Sequence, residues 1–365
     1  MKKYCYKTTA FLVITLLSIS TALFAQEVTK EFYREFTPRP ATTLDINSRY
    51  GNVVIESWDR NLIVIEAKLK VSNPRNNREH AEYTLNRVNV EFSESGNVIK
   101  VSTKYDSDFN PIRRNLVSSY NNSISVDYNI KMPVSTNLTL VNSYGNTTIN
   151  ELSGLVNINI SYGNLAVNKL TRGNESPQNN ISLRYGNGNI TEAGRLTLNT
   201  SYVGSLNISK CTTVLLESKY SKLNFGEVSS ITGESRYDNI QIGSITNLDL
   251  DSRYTKTNIR TLTNSLKLEI GYGSFTADNI TTGFESLEVN TRYAPVKLGI
   301  ADNASYQLNV NARYGGIRYD NITLNATRII QERNSQTIEG IVGRETSPSA
   351  KVKIDANYAT VQLDR

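Results

Sequence analysis

The phrase "LDLDSRYTKTNI", residues 248–259, returns as "LEVNTRYAPVKL" and again as "LNVNARYGGIRY". This recurrence constrains the fold more than any other feature of the chain. Aligned on the tyrosines at 50, 144, 162, 185, 202, 220, 237, 254, 272, 293, 314 and 358, the steps from Tyr144 to Tyr314 are 18, 23, 17, 18, 17, 17, 18, 21 and 21 residues. A period of this length is the signature of a stacked repeat. Counted from the tyrosine as position 0, position −6 is apolar in eleven of the twelve repeats, as at Leu44, Val156 and Leu248. Position −4 is apolar in eleven, with Gly233 the exception, and position +5 in eleven. Position +8 is often apolar again, as at Leu152, Val228 and Leu262, and the Tyr202 repeat carries one extra residue, so Leu206 and Ile208 fall one place late.

Positions −6, −4, −2 and 0 share one parity and so line one face of a strand. Positions +3 and +5 have the other parity, so a corner lies between, and a second corner separates +5 from +8. Each repeat describes a coil of about three short strands with its apolar faces inward, and one coil cannot bury those faces alone. Coils stacked roughly 4.8 Å apart bury them in a continuous column. The expected fold is therefore all-β: a single-chain β-solenoid, a parallel β-helix with about 17–23 residues per coil, for which right-handed winding is preferred although the pattern itself does not give the hand. Glycine at +1 in six repeats, such as Gly51 and Gly145, is expected to supply the positive φ of the corner. Parity places the tyrosine rings inside the column, where Tyr144, Tyr162, Tyr185, Tyr202, Tyr220, Tyr237, Tyr254, Tyr272, Tyr293 and Tyr314 form a structural ladder. Small residues at −2, such as Ser218 and Ala312, leave room for them.

Position −1 has the opposite parity and faces solvent. Arg184, Lys219, Arg236, Arg253, Arg292 and Arg313 stand there and form a candidate partner-binding basic column. Glu217, Glu234, Asp251 and Glu269 at −3 suggest alternating rows of opposite charge, each exposed pair worth about 0–1 kcal/mol. Arg292 and Arg313 lack such an acid in their own repeats and extend the row as a basic stripe that could meet an acidic glycan or another surface.

Residues 1–25 read as an export signal: Lys2, Lys3 and Lys7 precede the apolar run "FLVITLLSISTALF", with cleavage after Ala25. The run is short for a spanning helix. The expected address is the periplasm, the cell surface or the medium. Removing three lysines takes the formal charge from +6 to +3, which argues against a dedicated nucleic-acid binder. Of the two cysteines only Cys211 remains, so no internal disulfide is possible.

Residues 26–131 read as an N-terminal β-rich cap holding the first coil and one short helix, with Ala81, Leu85 and Val88 on its inner face; residues 132–365 are the solenoid repeats. "YDSDFNPIRRN" reads as a loop. Residues 326–350 fit either a degenerate coil or a hairpin. The closing "KVKIDANYATVQLDR" is expected to be the last coil, its edge guarded by Asp364 and Arg365 or covered by a partner.

No catalytic set, cofactor motif or metal-ligand cluster stands out. The single histidine, His80, falls on the expected helix. Asp238, Asp278 and Asp320 near corners read as turn residues. The leading expectation is a non-enzymatic exported scaffold that binds a glycan or an envelope protein. The alternative is a carbohydrate-active β-helix enzyme, which requires carboxylates converging on one groove.

The stretches "LDINSRYGNVVIESWDRNLIVIEAKLKV" and "ISVDYNIKMPVSTNLTLVNSYGNTTI", the Tyr-Gly-Asn coils, "IEGIVG" and "KVKIDANYATVQL" resemble the bacterial putative-adhesin β-solenoid family of unknown function, common in Bacteroidota envelope proteins. The resemblance spans nearly all of the chain after residue 25. It implies a solenoid and a place in the envelope, and it adds a further possibility, an accessory role in envelope signalling. The middle coils "KYSK" and "RYDN" depart from Tyr-Gly-Asn, which puts a glycine-dependent corner in question there.

Overall fold

The computed structural model describes residues 26–73, 77–106, 123–319 and 323–364. The export-signal segment, most of the expected loop at 105–115, Asp320 and Arg365 lie outside the described residues. What is described is β-strand apart from turns and one helix, Arg78–Leu85. The chain divides into two compact units.

Of the described residues, the smaller unit draws on 26–30, 69–73, 77–89, 105–106 and 123–125. Its helix starts at Asn77, whose Oδ1 accepts from the His80 amide at 3.0 Å as a side-chain N-cap. Ala81 and Thr84 are its buried residues; Val88 already belongs to the following strand, Val88–Ser95.

The larger unit, described residues 31–68, 90–104, 126–319 and 323–364, is a β-solenoid. Its central coils are the most regular. Ser205–Lys219, Lys222–Arg236 and Asn239–Arg253 pair in parallel from end to end with short interruptions. Pairing between the first two lapses at Ser209 opposite Gly226 and at Thr212 opposite Ser229, where the strands bend. A coil therefore has three sides, two gentle bends and one sharp corner, and the sharp corner is at the tyrosine. The inward positions pack as the alternation demands: Leu248, Leu250, Ile259 and Leu262 of the Tyr254 coil are all buried. Each such side chain contributes about 1.5–3 kcal/mol.

The corner differs from expectation. All twelve aligned tyrosines have positive φ, from +53° to +61°, whereas Gly51 and Gly145 do not. The tyrosine itself turns the chain, and this explains why "KYSK" and "RYDN" keep the same corner without glycine. Glycine at +1 answers a different need. A Cβ on Gly145 would lie 1.8 Å from the Gly51 carbonyl oxygen, and one on Gly163 would lie 1.9 Å from that of Gly145. In those coils successive backbones touch.

Both ends of the column are wound out of sequence order. Strand Thr43–Arg49 lies between Val98–Tyr105 and Asn137–Ser143, and Val53–Trp58 lies between Ser123–Pro133 and Thr147–Leu152. At the other end, Lys351–Asn357 lies between Ser286–Arg292 and Tyr306–Arg313. Thr360–Asp364 likewise lies between Val296–Ile300 and Gly316–Tyr319. The closing segment is thus not an open-edged last coil. Its own chain covers both sides, and the Tyr314 coil stands outside it. Residues 324–342 form a hairpin: Leu324–Gln331 pairs antiparallel with Ser335–Val342, which pairs antiparallel with Tyr306–Arg313. The register shift between Ala326 and Arg328 in the outer strand is a bulge, a device that discourages edge-to-edge association.

Candidate functional site

Because the tyrosine is left-handed, its Cβ leaves the strand alternation. Alternation holds through −2, where Ser218, Ser235 and Ser252 are buried, and fails at 0. The ladder residues Tyr144, Tyr162, Tyr185, Tyr202, Tyr220, Tyr237, Tyr254, Tyr272, Tyr293 and Tyr314 are 39–58% exposed, so the ladder runs along the outside of the column, not within it. Tyr50 extends it at one end, and Tyr358 is inserted within it. Ring centroids are 4.7–5.1 Å apart and neighbouring planes within 24° of parallel. The order is Tyr293, Tyr358, Tyr314, because the closing coil is interposed. Each inner ring has both faces against its neighbours and shows solvent only an edge and its hydroxyl. Such a stack cannot offer ring faces to a ligand.

A second row follows the tyrosines. Asn146 and Asn164 each receive the amide of the next coil's asparagine on their Oδ1, Asn164 N to Asn146 and Asn187 N to Asn164, both at 3.0 Å. Asn52 accepts from Asn146 N in the same way, and Asp127 from Asn52 N. The third letter of Tyr-Gly-Asn is the visible sign of this row, which parity counting alone does not find.

The candidate basic column lies on the outer face of the first side of the coil. Read by register it runs Arg184, Ser201, Lys219, Arg236, Arg253, Gly271, Arg292, Asn357, Arg313. Only Lys219, Arg236 and Arg253 are adjacent. They run beside Glu217, Glu234 and Asp251, with Arg236 to Glu234 at 2.9 Å and Arg253 to Asp251 at 3.8 Å. Arg292 and Arg313 do not form a continuing stripe. The interposed coil places Asn357 between them and Asp355 in the neighbouring row. Two grooves open on this face. One, of about 330 Å³, is lined by residues including Arg184, Asn199, Ser201, Glu217 and Lys219. The other lies over Gly271, with Arg253 and Arg292 at its sides and Asp251, Glu269 and Asp355 in its lining.

Inside the sharp corner of the central coils the contacts are polar. Asp238, at +1, is buried and accepts from Ser221 N at 2.7 Å, Ser235 Oγ at 2.6 Å and Arg236 N at 3.2 Å. Burial raises its carboxyl above the usual range, and these hydrogen bonds pull it back in part. Thr255 does related work one coil on, where its Oγ1 accepts from Asp238 N at 3.2 Å. Asp238 is thus a corner residue, as read from sequence, but an inward-facing one. Asp278 lies on an exposed position away from it. Cys211 is buried, donates towards the Gly194 carbonyl at 3.0 Å, and has its thiol pushed up to about 12 by burial. Among the described residues no three His, Cys, Asp or Glu side chains gather as a metal site, and no helix is long and apolar enough to cross a membrane.

These features define a class: a single-chain β-solenoid with a stacked outer tyrosine row beside a polar, grooved sheet. The chain belongs to the Toastrack DUF4097 family, whose model matches residues 41–363. No curated protein matches it. Among solved structures it is similar to a putative adhesin from Bacteroides fragilis at 10% identity, covering 92% of this chain and 97% of that one, TM-score 0.22. A putative adhesin from Parabacteroides merdae matches at 12%, covering 74% and 92%, TM-score 0.28. A putative lipid binding protein from Parabacteroides distasonis matches at 9%, covering 93% and 97%, TM-score 0.23.

Proposed function

We propose that this chain is a non-enzymatic exported solenoid, held in the periplasm, at the cell surface or in the medium, whose grooved outer sheet binds a glycan or envelope partner. The observation that carries this reading is the regularity of that sheet. Consecutive coils hold hydroxyl, amide and charged side chains in straight rows at strand spacing, about 4.8 Å apart. A flat, ordered, hydrogen-bonding surface of this kind suits an extended polar polymer. Glu234 and Asp251 of the −3 row are paired with bases of their own coils, so the reading assigns them to structure, not to acid–base chemistry.

An array of neutral and acidic glycans probed with the purified chain tests it. Selective binding, lost when residues of the outer sheet are changed, is the expected outcome; an array silent at micromolar protein removes the glycan form of the proposal.

A further inference from the structure

The outer sheet changes character along its length. In the Tyr185 and Tyr202 coils its outward positions are Asn180, Ser182, Arg184, Thr197, Asn199 and Ser201, with no acid among them. From the Tyr220 coil onward Glu217, Glu234 and Asp251 appear. The first groove sits on that boundary. Its floor is Ser201, an outward position that is nevertheless only 9% exposed. Ser201 pairs with Arg184 on one side and with Lys219 on the other. The two basic side chains therefore rise from backbones two strand spacings apart, about 9–10 Å, over a short residue. No ion pair is formed by either among the described residues, unlike Arg236 and Arg253 further along the row.

We propose that this groove seats the carboxylate of an acidic sugar in a linear polysaccharide, a reading that rests on the glycan-binding function proposed above. A guanidinium and an ammonium reaching across one small residue make a two-sided seat for an anion, and charge-assisted hydrogen bonds are the stronger kind. The surroundings choose a sugar over an acidic peptide. Asn157, Asn180 and Asn199 form an amide row, linked Nδ2 to Oδ1 at 3.0 and 3.3 Å, which leaves further donors and acceptors outward. On the far wall Glu234 is paired with Arg236 at 2.9 Å, and Glu217 accepts from sugar hydroxyls and repels a second carboxylate, which sets the direction of the chain in the groove. Leu215, 44% exposed at the margin, is placed to meet the C–H face of a ring. The aromatic anchors that dominate protein interfaces do not line this groove.

Polygalacturonate and its carboxyl-reduced neutral counterpart are the probes, with binding to the full chain followed by calorimetry. Polygalacturonate is expected to bind and the reduced polymer to bind at least tenfold more weakly. The double variant Arg184→Gln/Lys219→Gln should lose tenfold or more in affinity for polygalacturonate, while Lys222→Gln, a neighbouring lysine outside the groove, should not. Near-UV circular dichroism of each variant establishes that the coils are intact. Unchanged polygalacturonate binding in the double variant overturns the proposal, as does equal loss in Lys222→Gln, which marks diffuse charge attraction. Binding of the reduced polymer with none of polygalacturonate also overturns it, yet leaves the wider glycan function standing. Silence with both polymers and across the glycan array ends both.

Discussion

At the scale of the residue, the tyrosine does two opposed things. Its left-handed backbone costs about 1–2 kcal/mol relative to the ordinary conformation. Stacking with a neighbour returns about 0.5–1.5 kcal/mol per pair, and an inner ring has two neighbours. Substitutions at Tyr237, φ +59°, separate the two effects. Tyr237→Phe should be close to neutral by urea denaturation. Tyr237→Ala should lose about 1–3 kcal/mol, and Tyr237→Gly should be the milder truncation, since glycine holds that φ without strain. An alanine variant as stable as the glycine one would show that the backbone carries no strain there. Asp238 offers a test through pH. Its folded carboxyl is raised by burial, so the folded state takes up the proton more readily than the unfolded chain. The resulting stability is fully present below the unfolded value near 4 and is lost as pH rises through the raised folded value. The advantage of wild type over Asp238→Asn, from denaturation midpoints, should therefore be greater at pH 3 than at pH 7. The reverse trend would mean that the three donors outweigh burial.

At the scale of the element, what could be read from sequence follows from what creates it. Positions −6, −4 and +5 were legible because burying one face of a strand writes a period of two into the residues. The tyrosine's direction was not, because parity presumes extended backbone and Tyr220 or Tyr237 is not extended. The order of coils at the ends was hidden for another reason. Every coil carries the same phrase, so Lys351–Asn357 fits beside Ser286–Arg292 as well as Tyr306–Arg313 does, and only the structure shows it between them. The basic column inherited both limits: its outward side was legible, its break at Asn357 was not. A chain truncated after Gly343 removes the strands that join the Tyr293 and Tyr314 coils. It should show a lower denaturation midpoint and concentration-dependent association by light scattering, both reversed by a peptide spanning 344–365 added in trans. A truncated chain that stays monomeric with an unchanged midpoint would mean that those strands contribute no stability.

At the scale of the whole molecule, the proposed export predicts that the protein recovered outside the cytoplasm of a bacterial host begins at Gln26, as N-terminal sequencing would read it; a recovered chain still carrying residues 1–25 would contradict it. The interleaved windings also change where disassembly starts. In a plain stack the terminal winding has a single neighbour and frays first, from the chain end inward. Here residues 351–364 have a neighbouring winding on each side, so the outermost winding at that end is residues 306–319, well inside the sequence, where Tyr306–Arg313 is covered only by the hairpin strand Ser335–Val342 and Gly316–Tyr319 pairs with Thr360–Asp364 alone. Local opening should begin in that hairpin and at 316–319, and amide hydrogens of 360–364 should exchange more slowly than those of 316–319. The chain's tail is a bolt passed between two windings, and loosening that end begins with an internal loop swinging away from it.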